Sequence, residues 1–489
     1  MPLGELLLAK NLLDKEQLET ALEHQRVAGG LFGDNLVTLG FITRDKLNEI
    51  ILEPPPVPQS IGDTGMDTPF LVNLVLKAIY VSGFETAPEI SDQIKLSRGI
   101  VEELLNIAKK NGLLEVRGAT ESNFTVLRYA LTSIGREQAL EAFRSCQYIG
   151  PVPVPLANYQ FQVQKQAVTN ERIHAEVISQ ALFHLILPEE TLRRLGPAIN
   201  SGKAILLYGP SGNGKTSIAE AIGETFQQPI YIPYCIEVDG QIIKIFDPAV
   251  HREIASQPDS ENNDTSPFYL RAVPFDPRWV QCRRPVIISG GELTLEMLDL
   301  EFDSFTKYYE APLQVKATGG VFAIDDFGRQ LVRPQDLLNR WIIPLEKKVD
   351  YLTLHTGKKF ELPFDQLIIF STNIPPEELM DTAFLRRIHY KLLIDPPTVE
   401  DYKAIFRRIC SFHKLELSEE ILSYILSSFY HKNNTPLAAF HPKFIVEHAI
   451  AACSYDGTPP QLTLELVKDA LGNLVISQPS STLGSKNHG

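Results

Sequence analysis

The 489-residue chain has few cysteines, no long apolar run and no excess of basic residues. Its five cysteines are scattered, without the C-x-x-C spacing of redox or zinc sites, which predicts free thiols in a reducing compartment. No apolar stretch approaches the roughly 18–20 residues that span a bilayer, so we expect no membrane insertion. A net charge of −14 argues against a protein that coats nucleic acid non-specifically, because phosphate contacts need clustered Lys and Arg. The cysteines are Cys146, Cys235, Cys282, Cys410 and Cys453.

The first sixteen residues lack the basic segment of a secretory signal and carry Glu5, so we expect a cytoplasmic protein. Hydrophobic residues make up 44% of the chain and charged residues 22%, as in soluble globular proteins. The length predicts roughly three domains.

The strongest chemical signal is an apolar strand that leads into a glycine-rich loop and then a helix. The loop after residues 205–208 matches the pattern G-x-x-x-x-G-K-[ST]. Its backbone N–H groups can curl around phosphates, Lys215 supplies a positive charge and Thr216 offers a hydroxyl to Mg²⁺. The pattern therefore predicts ATP binding with Mg²⁺. The predicted nucleotide-binding residues in the loop and helix start are Gly209, Pro210, Ser211, Gly212, Asn213, Gly214, Lys215, Thr216 and Ser217.

Two further apolar strands end in side chains that suit phosphoryl transfer. The strand at 321–324 is followed by Asp325, expected to hold Mg²⁺ through its water shell, and by Asp326, expected to act as a base or to orient water. The strand at 367–372 ends at Asn373, which can position the attacking water. The sequence therefore predicts a hydrolytic site.

An arginine pair later in the chain suits action between subunits. Arg386 and Arg387 precede a strand and can reach the triphosphate of a neighbouring subunit as an arginine finger. Arg329, Arg333 and Arg340 are rival candidates for that role.

In their order and spacing, these motifs resemble Walker A, Walker B, sensor 1 and the arginine finger of the AAA+ ATPases. The resemblance covers about residues 160–473 and implies an α/β P-loop core with a parallel sheet, a helical lid and assembly into a ring. It also implies a sensor-2 basic residue in the lid, for which Lys443 is the candidate, and an adenine pocket near 184–186. For His184 alone, a packed surface histidine is the alternative.

The Asp325-Asp326 pair departs from the Asp-Glu of most hydrolytic members of that family. The shorter side chain withdraws the carboxylate by about 1.5 Å on an unchanged backbone. A misplacement of about 1 Å can cost about 100-fold in rate. We therefore expect hydrolysis, with a nucleotide-gated switch of very slow turnover as the alternative.

The first fifty residues contain an internal repeat in which Gly4 aligns with Gly33 and Asn11 takes a glycine position. The repeat resembles the N-terminal domain of type II secretion and type IV pilus assembly ATPases, which implies cyclic di-GMP as a candidate ligand. Pro2 and Leu31 replace the opening arginine of that motif, so we favour a scaffold or docking role over cyclic di-GMP binding.

Residues 68–147 predict three helices, two strands and a closing helix, an order that resembles a winged helix. Winged helices often read DNA through the second helix of the turn. Here the helix carries Arg98, Glu102, Glu103 and two lysines, which is nearly balanced, so we favour protein contact or intramolecular gating over DNA.

Between the two strands of the nucleotide site, a hairpin is predicted around Asp239-Gly240, a polar loop over 256–267 and an apolar helix after Gly290-Gly291. Tyr308 and Tyr309 are either substrate grips or packing residues.

The sequence thus predicts a multidomain chain: a helical repeat domain (1–53), a Pro-rich linker (54–67), a winged-helix-like domain (68–147), an extended Pro-rich linker (148–165), an α/β AAA+ core (166–396), a helical lid (397–475) and a disordered tail (476–489). We expect an oligomeric ATPase that remodels or assembles a protein partner. A DNA-associated regulator and an adaptor with negligible turnover are the alternatives.

Overall fold

The computed structural model describes residues 10–28, 32–120, 123–254, 275–431 and 435–474, together with residues 4, 7 and 8. Within these ranges the chain is multidomain, and its largest part is a parallel sheet flanked by helices, which confirms the predicted α/β P-loop class. Pro2, Leu31, the polar loop at 256–267 and the tail at 476–489 lie outside the described residues.

The elements are numbered here in chain order. The described helices are α1 (Lys15–Ala28), α2 (Phe32–Thr38), α3 (Arg44–Leu52), α4 (Thr68–Ser82), α5 (Ala87–Ile94), α6 (Arg98–Lys110), α7 (Ser133–Ser145), α8 (Leu156–Lys165), α9 (Ala175–Ala181), α10 (Glu189–Asn200), α11 (Lys215–Gly223), α12 (Leu313–Lys316), α13 (Pro334–Lys347), α14 (Pro376–Leu379), α15 (Thr382–Leu385), α16 (Val399–Phe412), α17 (Glu419–Tyr424), α18 (His441–Tyr455) and α19 (Leu464–Leu474). The described strands are β1 (Leu114–Thr120), β2 (Asn123–Leu131), β3 (Val154–Pro155), β4 (Ile205–Tyr208), β5 (Ile230–Pro233), β6 (Cys235–Val238), β7 (Gln241–Lys244), β8 (Trp279–Cys282), β9 (Val286–Ser289), β10 (Glu301–Phe302), β11 (Tyr309–Glu310), β12 (Val321–Ile324), β13 (Val349–Thr353), β14 (Lys359–Pro363), β15 (Leu367–Thr372) and β16 (Tyr390–Leu393).

The amino-terminal unit, α1 to α3, reflects the internal repeat. Leu7 and Leu36 occupy equivalent positions of the two copies and are both fully buried in its core. Asn11 and Gly40 are also equivalent, and both adopt the left-handed conformation, with φ of 54° and 73°. Asn is among the few residues other than Gly that tolerate this region, which explains the replacement.

The second unit, α4 to α7 with the β1–β2 hairpin, has the predicted order of elements. Its apolar core is shared with the rest of the chain, because Tyr148, Cys235 and Ile242 belong to the same buried cluster. Burial raises the pKa of Cys235 to about 12, which keeps this thiol protonated and unreactive. All five cysteines are free, as predicted.

The predicted extended linker at 148–165 contains a helix, α8, so the prediction was wrong over 156–165. The prolines end at Pro155, which lies at the N-cap of α8. Beyond it, Tyr159 and Val163 are four residues apart and both buried, so one helical face packs on the core. The proline-rich composition of 148–155 does not extend to the residues that follow it.

The first Pro-rich linker, 54–67, is bound to the core by a buried ion pair. The Arg278 and Asp276 side chains are 2% and 3% exposed and lie 2.8 Å apart. Arg278 Nη1 donates to Thr64 O at 2.8 Å, and Asp276 N–H donates to Pro55 O at 3.0 Å. The linker is therefore fixed at two carbonyls.

The core contains a five-stranded sheet in the order β16-β4-β15-β12-β9, with all neighbouring strands parallel. Every residue of β12 and β15 is buried, as expected for central strands covered on both faces. A second sheet, ordered β10-β11-β7-β6-β3, is formed mainly by the segment between β4 and β12.

Two predictions for this segment have different outcomes. The hairpin β6–β7 turns at Asp239 and Gly240, with φ of 53° and 75°, as predicted. The predicted apolar helix after Gly291 is only a short 3₁₀ turn at Glu296–Leu298. Leu293 and Leu298 are both fully buried, and a spacing of five residues does not place them on one helical face.

Tyr308 and Tyr309 pack within the chain. Tyr309 is 1% exposed, and its hydroxyl accepts a hydrogen bond from His355 N–H at 2.8 Å. Tyr308 meets the Tyr148 ring edge-on at 5.7 Å. Of the two alternatives, substrate grips or packing residues, the structure shows packing.

The lid consists of α16 to α19 and a π-helical segment, Ile425–His431, around an apolar core that includes Tyr402, Phe406 and Ile445. No described helix combines the length and the apolar character needed to cross a membrane.

Replacing Arg278 by Ala leaves Asp276 buried without its partner, so we expect a loss of about 3–5 kcal/mol in stability. The check is urea unfolding of the full chain, beside cleavage within residues 54–67 by an Asp-specific protease. The exposed Arg283→Ala variant is the matched control. Unchanged unfolding and unchanged cleavage in Arg278→Ala would show that the ion pair does not hold the linker.

Candidate functional site

The carboxyl ends of three neighbouring strands meet at one edge of the parallel sheet. Tyr208 at the end of β4 pairs with Thr372 at the end of β15, and Ile324 at the end of β12 pairs with Phe370. Ligands of open parallel sheets bind at this edge. The residues that follow these strands are Gly209, Asn373 and Asp325, so the register places three predicted site residues together.

The loop after β4 requires glycine at Gly209. It has a φ of 136°, and a Cβ there would lie 2.4 Å from Ile394 O. The loop therefore passes closely under the end of β16 and then turns into α11, whose N-terminus faces the same edge. A helix N-terminus adjoining such a loop favours phosphate.

Lys215, the first residue of α11, is held by the loop itself. Its ammonium donates to Gly209 O and Pro210 O, both at 3.0 Å. Burial lowers the pKa of Lys215 below its usual value, while the negative charges of Asp325 and Asp326 act against that shift. Lys215 is thus a buried cation within electrostatic reach of both carboxylates.

Thr216 and Asp325, the two predicted magnesium ligands, are adjacent. Thr216 Oγ1 donates to Asp325 Oδ2 at 2.6 Å, and Asp325 N–H donates to Ser289 O at 2.8 Å. A hydroxyl and a carboxylate are the oxygen donors that Mg²⁺ prefers. The described residues include no cluster of three or more His, Cys, Asp or Glu side chains suited to a metal. Mg²⁺ bound by one or two protein oxygens usually takes its other ligands from substrate phosphates and water.

Asp326 departs from strand geometry. It is exposed and adopts the left-handed conformation with a φ of 48°, which is uncommon for a residue with a side chain. Phe327 N–H then donates to Ser371 O at 2.7 Å and returns the chain to the sheet. The Asp326 carboxylate therefore leaves the chain from a left-handed turn and not from the extended end of β12.

Asn373 follows β15 and is half-buried beside the loop. The preceding Thr372 donates through Oγ1 to Phe327 O at 2.7 Å, which joins the end of β15 to the turn after Asp326. Asp326 and Asn373, the two residues predicted to activate or position water, therefore lie on segments joined by this hydrogen bond.

The predicted arginine finger residues differ in their surroundings. Arg387 Nε donates to Glu346 at 2.6 Å within the same chain. The Arg386 side chain is exposed and forms no hydrogen bond or ion pair with a described residue. Of the pair, Arg386 is the one presented to solvent.

The rival arginines are partly accounted for within the chain. Arg340 binds Asp350 through both ends of its guanidinium, at 2.5 and 3.0 Å, and lies 3.5 Å from Asp299. Arg333 pairs with Asp336 on the surface at 2.7 Å, and Arg329 is exposed. Arg340 therefore already has two carboxylate partners within its own chain.

Lys443 lies in the first turn of α18, with its ammonium exposed and 3.8 Å from Glu447. The lid contacts the loop through Phe440, just before α18, and through the Asn213 side chain. Lys443 is a candidate because the resemblance to AAA+ ATPases implies a basic residue at this place in the lid. No local sequence pattern indicates that Phe440 contacts the loop or that the Asn213 amide contacts the lid.

Two further features have clear positions. His184 lines a cavity of about 960 Å³ together with Glu220 and the edge strand β9. The part of α11 that lines this cavity lies roughly 8–12 Å along the helix axis from Lys215. Glu292 accepts hydrogen bonds from Gly290 N–H at 2.9 Å and from the Ser289 hydroxyl at 3.1 Å. The Gly-Gly-Glu sequence thus closes a loop at the end of β9.

Comparison with family models matches residues 398–473, most of the lid, to a domain of unknown function (DUF8689). No curated protein sequence matches the chain. Among solved structures, the chain is similar to NtrX from Brucella abortus, with 13% identity, a TM-score of 0.35 and coverage of 62% of this chain and 58% of NtrX. The match therefore spans less than two thirds of NtrX.

Two structures from Thermotoga maritima are also similar. The RuvB Holliday junction branch migration motor has 15% identity and a TM-score of 0.31, over 59% of this chain and 70% of RuvB. Domain III of the replication initiation protein DnaA has 13% identity and a TM-score of 0.33, over 60% of this chain and 96% of that domain. Similarity at this level adds nothing to the site, whose interpretation depends on its geometry.

Replacing Lys215 by Ala removes the buried cation of the loop, so we expect ATP affinity to fall by about 100-fold or more. Isothermal titration calorimetry with Mg²⁺ and ATP measures this. Lys203→Ala, an exposed lysine just before β4, is the control that retains affinity. An unchanged Kd in Lys215→Ala would show that the nucleotide site is elsewhere.

Proposed function

We propose that this chain is an ATP hydrolase of the AAA+ type that couples nucleotide turnover to the remodelling or assembly of a protein partner. The observation that carries the proposal is the 2.6 Å contact between Thr216 and Asp325, beside Lys215 and at the carboxyl edge of the parallel sheet. A phosphate-binding loop and a metal-binding carboxylate are the two parts that triphosphate hydrolysis needs in one place.

Each residue has a role that follows from its position. The loop N–H groups and Lys215 bind the phosphates, and Thr216 and Asp325 would hold Mg²⁺. When bound, the ion would supply positive charge to bridging phosphate oxygens. Asp326 accepts a proton from the attacking water or orients it, and Asn373 fixes that water from the adjoining strand.

Assembly into a ring completes the proposal. Arg386 is exposed and free of partners among the described residues, so it is available to the triphosphate of a neighbouring copy. Lys443 is the proposed sensor 2 residue of the lid. The ring is part of the proposal, as is a cytoplasmic setting, in which the five free cysteines stay reduced.

The amino-terminal units are proposed as docking or sensing modules, with boundaries at residues 53, 68 and 147. Their attachment through Arg278 and the shared core around Cys235 supports communication with the ATPase core. We favour a protein partner over DNA for the proposed winged helix. Arg98 Nε donates to Glu102 at 2.8 Å on α6, which neutralises one of its few basic residues. Cyclic di-GMP remains the candidate small ligand of residues 1–53.

The ATPase rate is expected to rise with protein concentration, because the active site takes an arginine from a second copy. In Asp326→Asn the rate is expected to fall about 100-fold or more, since a positioned base contributes on that order. Steady-state phosphate release across a concentration series of wild type, Asp326→Asn and Asp326→Glu measures both effects.

A near-zero wild-type rate that Asp326→Glu restores would contradict the hydrolase and establish a nucleotide-gated switch. A wild-type rate independent of concentration would contradict the shared active site.

Replacing Arg386 by Ala is expected to preserve ATP binding and to lower turnover by about 1000-fold in the assembled protein, the scale of an arginine finger. Arg387→Ala is expected to cost less, because Arg387 is paired with Glu346 in its own chain. Arg193→Ala, on the surface of α10, is the neutral control. Full turnover in assembled Arg386→Ala would place the finger elsewhere.

A further inference from the structure

The lid is attached to the phosphate-binding loop by main-chain hydrogen bonds. Phe440 N–H donates to Gly212 O at 3.0 Å, and Ala439 N–H donates to Asn213 Oδ1 at 3.2 Å. Both lid residues come just before α18, and both acceptors belong to the loop. The lid position is therefore tied to the conformation of the loop.

The Phe440 ring packs on the same part of the loop. A Cβ at Gly212 would lie 2.2 Å from Phe440 Cδ1, and Gly212 has a φ of 78°. Glycine is thus required at Gly212 twice, for its backbone angle and for the ring above it. This packing is a second attachment, independent of the Asn213 side chain.

Asn213 uses both ends of its amide. The side chain is buried, at 5% exposure; Oδ1 accepts from Ala439, and Nδ2 donates to Pro210 O at 3.4 Å. Pro210 O also accepts from the Lys215 ammonium at 3.0 Å. A continuous set of hydrogen bonds therefore runs from the lid main chain through Asn213 and Pro210 O to Lys215.

Triphosphate binding would change the hydrogen bonds of Lys215, which lies at one end of this set. Phosphate oxygens compete with Gly209 O and Pro210 O for the Lys215 ammonium, because a charge-assisted bond to an anion is stronger than a bond to a neutral carbonyl. When Lys215 turns to phosphate, Pro210 O loses its ammonium donor and is left with the Asn213 amide, which bonds it at 3.4 Å. The Asn213 amide, and with it the bond to Ala439, must then readjust.

We propose that Asn213 is a positioning residue that links Lys215 to the lid, so that phosphate binding at the loop alters how the lid is held. The inference rests on the proposed ATP site and extends it by naming the side chain that carries the signal. Asn213 acts through its amide and not through contact with the reacting atoms.

The test is hydrogen–deuterium exchange of the full chain at the amides of Ala439 and Phe440, with and without Mg²⁺ and a non-hydrolysable ATP analogue. In wild type we expect the analogue to change exchange at Ala439 by about fivefold or more. In Asn213→Ala we expect faster exchange at Ala439 without nucleotide, and a response to the analogue of less than about twofold. Each sample contains enough analogue to saturate that variant, as checked by calorimetry.

Phe440→Ala separates the Asn213 link from general loosening of the lid. It removes the ring but leaves Asn213, Ala439 N–H and Lys215 in place, so the analogue is expected to change exchange at Ala439 as in wild type. Asn339→Ala, an exposed asparagine on α13, is the matched control and is expected to behave as wild type throughout.

Two results would overturn the link while leaving the ATP site intact: bound analogue without a response at Ala439 in wild type, or a full response in Asn213→Ala. Loss of the response in Phe440→Ala to the same extent as in Asn213→Ala would also overturn it. Failure of wild type to bind the analogue, seen directly in the calorimetry, would overturn the proposed function itself.

Discussion

The site depends on the register in which β15 lies between β4 and β12. Because Thr372 pairs with Tyr208 and Phe370 pairs with Ile324, the chain leaves the three strands at nearly the same height. A shift of one residue in either pairing would turn the side chains of a strand to its other face. The contact between Thr216 and Asp325, which are 109 positions apart, exists only in this register.

Buried ion pairs fix distant segments of the chain to one another. The pair of Arg278 and Asp276 holds the first linker. Within the core, Arg284 and Glu171 lie 2.9 Å apart, and their side chains are 2% and 6% exposed. Removing such pairs from water is costly, so they are weak contributors to net stability. Their guanidinium groups are nevertheless directional: Arg284 also donates to Gln166 O and Gly319 O, at 2.9 and 2.6 Å. These pairs determine geometry more than stability.

Much of the proposed nucleotide site can be predicted from the sequence because its main residues are contiguous. Loop, strand and helix follow one another, and the Asp239-Gly240 turn is equally local. Lys215, Thr216 and Asp325 are brought together as their motifs imply. The arginine candidates are harder, because the same residue type serves a buried ion pair at Arg340 and faces solvent at Arg386.

The remaining features could not be predicted from local sequence patterns. Helix α8 was missed because proline-rich composition before Pro155 says nothing about the residues after it. The contact of Ala439 with Asn213 joins positions 226 apart, and an asparagine in a phosphate loop carries no mark of the partner that its side chain chooses. The left-handed backbone at Asp326 likewise belongs to the turn that leaves β12, and the Asp-Asp sequence does not indicate it.

The shared core around Tyr148, Cys235 and Ile242 has a consequence for how this chain can be divided. A boundary that looks clean along the sequence, at residue 147, cuts through an apolar interior in space. Either half expressed alone would present to water the side chains that the other half covers, and exposed apolar surface of this kind promotes aggregation. The unit predicted from the sequence and the unit that shares one apolar core therefore have different boundaries, and residues of the β6–β7 hairpin belong to two buried clusters.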